Sequence, residues 1–400
     1  MTNSRRNILG AAAIGGLAVG LRSASATTTD SSSAAGAVSV ASFGVVGDGK
    51  TDNSKAIGSA CEKAISLFNS GTPAFLQFPS GNFCMNTAPP PIFQVPIGIK
   101  GAGAHQTTIT AGPDFSGNIF GWTDCWMKNV YGADTLVPPN YTGISVQDIS
   151  FCGTLGSSKK VNALAFYNIN DFVRVSNVEF NYIPGHAIVA GEIASGGDGF
   201  GILRESRFNE IRIFQSGTTD CPCIQIGSTG SSDATNEIIF AEIDIFWPRG
   251  HGFLIFNSGT EPVRLIKIFG LRIEKVLSGF SGLQLGGAGS SGIIYGINAM
   301  GVELVTCDAG ATPLSITGTS TSQIYCCAVQ GQIVNCKGDG IVVNTGYGNK
   351  ISMLMNETNG TGLTVTETTS PLYYDCPNGS TYSVAHGSQV LFASYATTPS

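Results

Sequence analysis

Along most of the chain apolar residues recur at every second position in short runs, and small or turn-forming residues close each run. One set reads VQDISF (146–151), VSNVEF (175–180), FNEIRIF (208–214), AEIDIF (241–246), FGLRIE (269–274), MGVELV (300–305) and GQIVN (331–335). A period of two predicts half-buried strands, with Ile149, Val178, Ile211, Ile243, Leu271, Val302 and Ile333 pointing inward. A second set follows polar or glycine-bearing turns: GHAIVAG (185–191), CIQIG (223–227), GHGFLIFN (250–257), SGLQLGG (281–287), TPLSITG (312–318), GDGIVVN (338–344) and GTGLTV (360–365). Copies follow one another at roughly 22 to 36 residues, the range of stacked-repeat architectures.

Connections this short cannot return helices between parallel strands, so the strands must stack by winding. The expected fold is all-β, a right-handed, single-stranded parallel β-helix with a short N-terminal capping helix. Stacking places equivalent residues of adjacent coils about 4.8 Å apart. The outward column after the inward residue then reads Ser150, Glu179, Arg212, Asp244, Arg272 and Glu303, a ladder of alternating charge. The column before it reads Asp148, Asn177, Glu210, Glu242, Gly270, Gly301 and Gln332, which sets the carboxylates of Glu210 and Glu242 on neighbouring rungs.

The first residues break this pattern. Arg5 and Arg6 precede a weakly apolar, Gly/Ala-rich run that ends in Ala24-Ser25-Ala26, the form of a twin-arginine export signal. The run from Ile8 to Leu21 is too short for a comfortable membrane span. The expected division is a signal at 1–26, a linker at 27–38 and one β-helix domain at 39–400. Within that domain 39–110 would form the cap and first coils, 111–142 an aromatic insertion, 143–370 the regular coils and 371–400 a C-terminal cap or tail. A soluble, exported protein, periplasmic or extracellular, is expected, with no membrane partner after signal removal.

The formal net charge is -6, and without the signal 27 acids face 18 bases, which excludes nucleic acid as a natural partner. Only 12% of residues are charged while 53 are glycine, a balance suited to a long core wrapped by tight turns. The 11 cysteines show no ladder of spacings that announces a disulfide scaffold or a metal site, so they read mostly as small buried hydrophobes. No metal-ligating set is expected.

The most specific motif lies near the start of the expected domain. ASFGVVGDGKTDNSKAIGSACEKA (41–64), AFLQFPSGNF (74–83) and IKGAGAHQTTI (99–109) together resemble the opening of the pectate lyase superfamily, rhamnogalacturonase- and polygalacturonase-related proteins with a pectin lyase-like β-helix. Phe43, Gly44, Gly47, Asp48, Gly49, Asp52, Ile57, Phe78, Pro79 and Gly81 carry the resemblance. Asp52 or Asn53 can cap a helix starting near Ser54, whose Ala56, Ile57, Ala60 and Ala64 would cover the open end of the stack. The resemblance implies action on acidic or complex polysaccharides, and fold alone does not choose among hydrolase, lyase, epimerase and tailspike-like binding protein.

Gly250-His251-Gly252 is similar to the Gly-His-Gly of glycoside hydrolase family 28. The rest of that family's machinery is not matched: the equivalent segments leave Asp220 as the one carboxylate in place, Gln284 where a basic pair is expected, and Arg264 and Lys267 elsewhere in the coil. His186, His251 and Asp339 occupy equivalent turns, so His251 is either turn punctuation or a proton-transfer group. For hydrolysis, the candidate acid–base residues are Asp220 and His251, with Glu210 and Glu242 as the alternative pair. His186, Arg249 and Arg212 are candidate substrate contacts, and Trp122 and Trp126, in the stretch around the aromatic insertion, are candidate sugar-stacking groups or loop anchors. Elimination would draw on Arg249 or Arg212 as base, with calcium as the cofactor of a lyase and no cofactor for a hydrolase. The expected activity is cleavage of a pectin-like or other acidic polysaccharide; the alternative is a non-catalytic polysaccharide-binding or tailspike-like β-helix. A long acidic β-helix is also compatible with a homotrimer.

Overall fold

The structure, a computed structural model, describes residues 36–86, 92–125, 143–192, 201–229, 234–319, 323–356, 361–366, 372–375, 382–384 and 390–392. Trp126 and most of the aromatic insertion lie outside the described residues.

One coil shows how the alternating sequence becomes a winding. The strand Thr235–Phe246 runs along a wide sheet, a turn through residues 247–252 leads into Phe253–Asn257 of a second sheet, and residues 258–262 return the chain to Val263–Glu274, one rung on. Phe240 pairs in parallel with Ile268 on the first sheet and Phe253 with Leu283 on the second. All pairings between the named strands are parallel, and crossovers between parallel strands of one sheet are right-handed in nearly all proteins. The result is the expected parallel β-helix.

The interior is built from the inward residues of both sheets. Ile149, Val178, Ile211, Ile243, Leu271, Val302 and Ile333 are all buried. Aromatic rings stack from coil to coil: Phe151 on Phe180 at 5.5 Å, Trp122 on Phe166 at 5.2 Å and Phe208 on Phe240 at 4.7 Å. Each such pair adds about 0.5–1.5 kcal/mol to the burial of its area. Of the cysteines, Cys61, Cys223 and Cys327 behave as expected of small core residues, and burial pushes the Cys61 and Cys327 thiols up to about 12.

The strands are not flat. Glu237, Glu242 and Trp247 all have positive φ, and so do Glu205, Glu210 and Gln215 in the coil before and Leu265, Gly270 and Lys275 in the coil after. Each left-handed residue inserts one extra outward side chain into the alternation and bends the strand around the core, at about 1–2 kcal/mol for a residue with a Cβ. Gly270 and Gly301 stand in the corner column of Glu242 and escape that cost.

One sequence expectation needs correcting, and two element boundaries shift. Ile333 pairs with Leu304, not Val302, and Gln332 pairs with Glu303, so Gln332 belongs to the alternating column rather than the one before it. The cause is a bulge between Met300 and Val302 that the next coil lacks; Gly331 sits opposite Val302, where a Cβ would strike the Val302 carbonyl oxygen. The stack begins inside the segment read as linker, because Ala37–Ser39 pairs with Phe75–Gln77. It also continues beyond residue 370, since Leu372–Asp375 pairs with Asn349–Ser352 and Tyr382–Val384 with Leu363–Val365. Ser54–Asn69 is the expected capping helix, with Ile57, Ala60, Cys61 and Ala64 buried. Its first turn is capped by Asp52, whose Oδ1 accepts the Ser54 N–H at 3.0 Å, while Asn53 Oδ1 accepts the Val46 N–H at 2.7 Å.

Candidate functional site

The corner columns decide where charge gathers. Asn209 pairs with Ala241 and Ile211 with Ile243, so the intervening Glu210 and Glu242 are equivalent residues one rung apart, both left-handed and both exposed. Two residues further along the same strands, Glu179, Arg212 and Asp244 stand in register. These two columns line a groove of about 270 Å³. The turn after Gly98–Lys100 closes one end. His105 Nδ1 lies 2.8 Å from Glu179 Oε2, and the His105 N–H donates to Ser150 Oγ at 3.1 Å. Four carboxylates therefore converge on one arginine and one histidine, an arrangement fit for acid–base work on an uncharged bond.

Around Gly250-His251-Gly252 the geometry is that of a packed turn. A Cβ at Gly250 would strike the Thr218 carbonyl oxygen, and one at Gly252 would lie 2.8 Å from the Gly282 carbonyl oxygen, so both glycines answer to close approach of neighbouring coils. His251 Nδ1 accepts the Ser281 N–H at 2.9 Å, and its ring meets Phe280 edge-on at 5.5 Å. Accepting that bond requires the neutral ring, and burial lowers its pKa further. Asp220 is exposed at the tip of the tight turn between Thr218 and Cys221, and Arg249 is exposed in the turn that leads to His251.

Residues 37–213 match the family described as rhamnogalacturonase A/epimerase, pectate lyase-like. Over this stretch, less than half of the chain, the protein is similar to that family, and the chain as described is a parallel β-helix. No curated protein sequence matches it. Solved structures similar to this parallel β-helix include the ORF18 protein of Geobacillus virus E2, at 14% identity and a TM-score of 0.48 over 85% of this chain and 62% of that one. A thermostable α-1,3-glucanase of glycoside hydrolase family 87 from Streptomyces thermodiastaticus, of which the catalytic unit was solved, matches at 12% identity and a TM-score of 0.45 over 90% of this chain and 70% of that one. The A-module of a mannuronan C-5 epimerase from Azotobacter vinelandii matches at 13% identity and a TM-score of 0.46 over 89% and 97%. None of the three bears on the activity of this chain.

Two sequence candidates in this β-helix change place. His186 is 1% exposed; its Nδ1 donates to the Pro222 carbonyl at 2.8 Å, and burial first, then the charge of Lys160, lowers its pKa to about 3. It is a neutral core residue and cannot contact a substrate. Trp122 is fully buried, stacked on Phe166, with Nε1 donating to the Ile97 carbonyl at 3.0 Å, so it anchors the core rather than walling a groove. Trp122 shares the inward face of its strand with Phe120, whereas His186 lies in a turn packed against Pro222 of the next coil.

Glu210, Glu242 and Arg212, by contrast, are brought together. The sequence reading missed His105, Glu179 and Asp244 as members of the same groove. A signal was present: apolar-x-x-apolar in FNEI and FAEI interrupts the period of two and marks the left-handed corner.

Proposed function

We propose that this β-helix protein is exported and hydrolyses a polysaccharide in the groove of Glu210 and Glu242. The observation that supports this reading is the pair itself. Equivalent residues one rung apart are separated by about 4.8 Å, close to the about 5–5.5 Å between the two carboxyl groups of retaining glycosidases. In that chemistry one carboxyl protonates the leaving glycosidic oxygen while the other, ionised, attacks the anomeric carbon; water then hydrolyses the glycosyl ester as the first group takes its proton. Neighbouring Asp244 and Glu179 favour developing positive charge on the sugar ring. The family match, whose description names a rhamnogalacturonase and an epimerase, agrees with a polysaccharide substrate.

Hydrolysis is preferred to elimination on physical grounds. Arg212 stands between Glu179 and Asp244 in the ladder, and a guanidinium, charged in proteins generally, is a donor and not a base. A second reading, glycan binding without catalysis, draws support from that same alternating column, which compensates itself and needs no substrate. The deciding experiment follows reducing ends, unsaturated uronate and anomeric configuration by NMR on acidic and neutral glycans, with and without calcium. Retained configuration is expected, with turnover reduced about 10²–10⁴-fold in both Glu210→Gln and Glu242→Gln. Wild-type turnover in both variants would remove the pair from the mechanism, and glycan binding without any product would establish the second reading.

A further inference from the structure

Two cysteines that take no part in the groove stand at the same corner of consecutive coils. Val305 pairs in parallel with Val334, the Thr306 N–H donates to the Val334 carbonyl at 2.9 Å, and the Lys337 N–H donates to the Cys307 carbonyl at 3.0 Å. That register sets Thr306 opposite Asn335 and Cys307 opposite Cys336. Thr306 and Asn335 are both left-handed, with φ of 57° and 54°, and the residue after each points inward. Cys307 is 1% exposed and Cys336 is fully buried. In the coil before, the same place holds Val276, whose carbonyl accepts the Asp308 N–H at 2.9 Å. The column thus changes from an aliphatic side chain to two thiols in succession.

Neighbouring rungs of a parallel sheet lie about 4.8 Å apart, inside the about 4.4–6.8 Å that separates the Cα atoms of disulfide-bonded cysteines. The two side chains already touch, with the Cys307 thiol donating to the Cys336 sulfur. That bond, with burial, holds the Cys307 thiol well above its ordinary value, and it draws Cys336 below its own against the opposing effect of burial. Cys336 is therefore the readier nucleophile of the two. Its other polar contacts are weak, 3.6 Å to the Val334 carbonyl and 3.9 Å to the Leu304 carbonyl, so loss of both S–H groups on oxidation breaks no strong hydrogen bond. Cys84 and Cys152 show the contrast. Both pair with Thr110, from opposite sides, and so stand two rungs apart, beyond the about 7 Å limit for a bridge without backbone movement.

We propose that Cys307 and Cys336 close a disulfide between consecutive coils when the protein meets a disulfide oxidant, and that this bond staples the C-terminal part of the stack. In the exchange the Cys336 thiolate attacks one sulfur of the oxidant and expels a thiolate. Cys307 then attacks Cys336 Sγ, expels the second thiolate and gives up its proton. Two cysteine thiols are oxidised and one disulfide of the oxidant is reduced to two thiols. Access needs no separation of the sheets. Asp308, Ala309 and Gly310 beside one sulfur, and Asn335 and Lys337 beside the other, are exposed, so opening of these two turns admits the oxidant. Each coil of a stack contacts only its neighbours, so an end can open while the middle stays closed. A covalent tie between coils removes freedom from the opened state and little from the closed one. The inference is independent of the polysaccharide reading above.

The test uses the full chain, reduced, cleared of reductant and then incubated with oxidised glutathione, once as the folded protein and once during refolding from urea. Remaining thiols are alkylated and the peptides mapped by mass spectrometry without reduction. In most molecules the Cys307 and Cys336 peptides are expected to be joined to each other. The joined form should have a higher urea midpoint than the reduced form, by a shift equivalent to about 10²-fold in the folding equilibrium constant, and dithiothreitol should reverse it. Cys307→Ala and Cys336→Ala should each lose the joined peptide and the shift, while Cys152→Ala should keep both. The map is read on the wild-type chain and stands even if an alanine variant fails to fold. Cys307 and Cys336 still alkylated after both treatments, joined instead to glutathione or to other cysteines, or joined to each other with no rise in midpoint, overturns the proposal.

Discussion

Two columns of side chains run side by side over the same strands, with the same backbone and similar exposure, and differ in charge order. From Glu179 to Glu303 the signs alternate rung by rung, whereas from Arg174 through Arg207 and Lys267 to Lys350 every charge is positive. In a parallel stack each column is a one-dimensional lattice in which a residue meets its own equivalents above and below. Alternation lowers the energy of the folded chain without help. An all-positive column raises it slightly, offset in part by Glu205 and Glu237 in the flanking corner column.

The largest perturbation should abolish both columns together. Phe240 lies beneath them, inward between Ile239 and Ala241, with its ring 4.7 Å from Phe208 and 4.8 Å from Phe253. Phe240→Ala is expected to cost about 3–5 kcal/mol, read as a lowered urea midpoint, with turnover falling as well. Turnover kept at a lowered midpoint would show that the groove of Glu210 and Glu242 does not rest on this floor.

Next in size is a pH effect that belongs to neither column. His186 has a folded pKa of about 3, below its ordinary value, so on acidification the unfolded chain takes up the proton first. Its contribution is complete above about pH 6.5 and falls by about 1.4 kcal/mol per pH unit as pH drops toward the folded value. Replacing His186 with Gln should flatten the dependence of the urea midpoint between about pH 6.5 and pH 4.5. An unchanged slope would assign acid sensitivity to the exposed carboxylates instead.

Smaller, and of opposite sign, are two charge reversals. Arg272→Glu places three acids on consecutive rungs from Asp244 to Glu303 and should destabilise by about 0.5–1 kcal/mol at low salt. Arg207→Glu breaks the Arg174 repulsion and should be neutral or stabilise by a few tenths of a kcal/mol. Thermal melts at two salt concentrations read both. If Arg207→Glu destabilises as much as Arg272→Glu, the two columns are not different in kind.

Much of this was legible in the chain itself. The inward set from Ile149 to Val302, the alternating column and the adjacency of Glu210 and Glu242 all follow from a period of two and a repeat that stacks. Gly250-His251-Gly252 was legible as a motif and illegible as a role, because a neutral ring held by the Ser281 N–H and a catalytic ring share the same letters.

What the sequence determined by itself was the winding, since strands joined by short turns have no other way to bury one face. The tertiary structure decided which residues are accessible and which meet. His186 and Trp122 became core because a neighbouring coil supplied Pro222, Phe166 and the Ile97 carbonyl around them. His105 reached Glu179 from far along the chain because a turn folded over the corner. The four cations formed one column because left-handed residues, invisible to a simple alternation, set the phase of every strand before pairing brought the coils into register. Local periodicity specifies a face; contacts between coils, which arise only on stacking, specify a site.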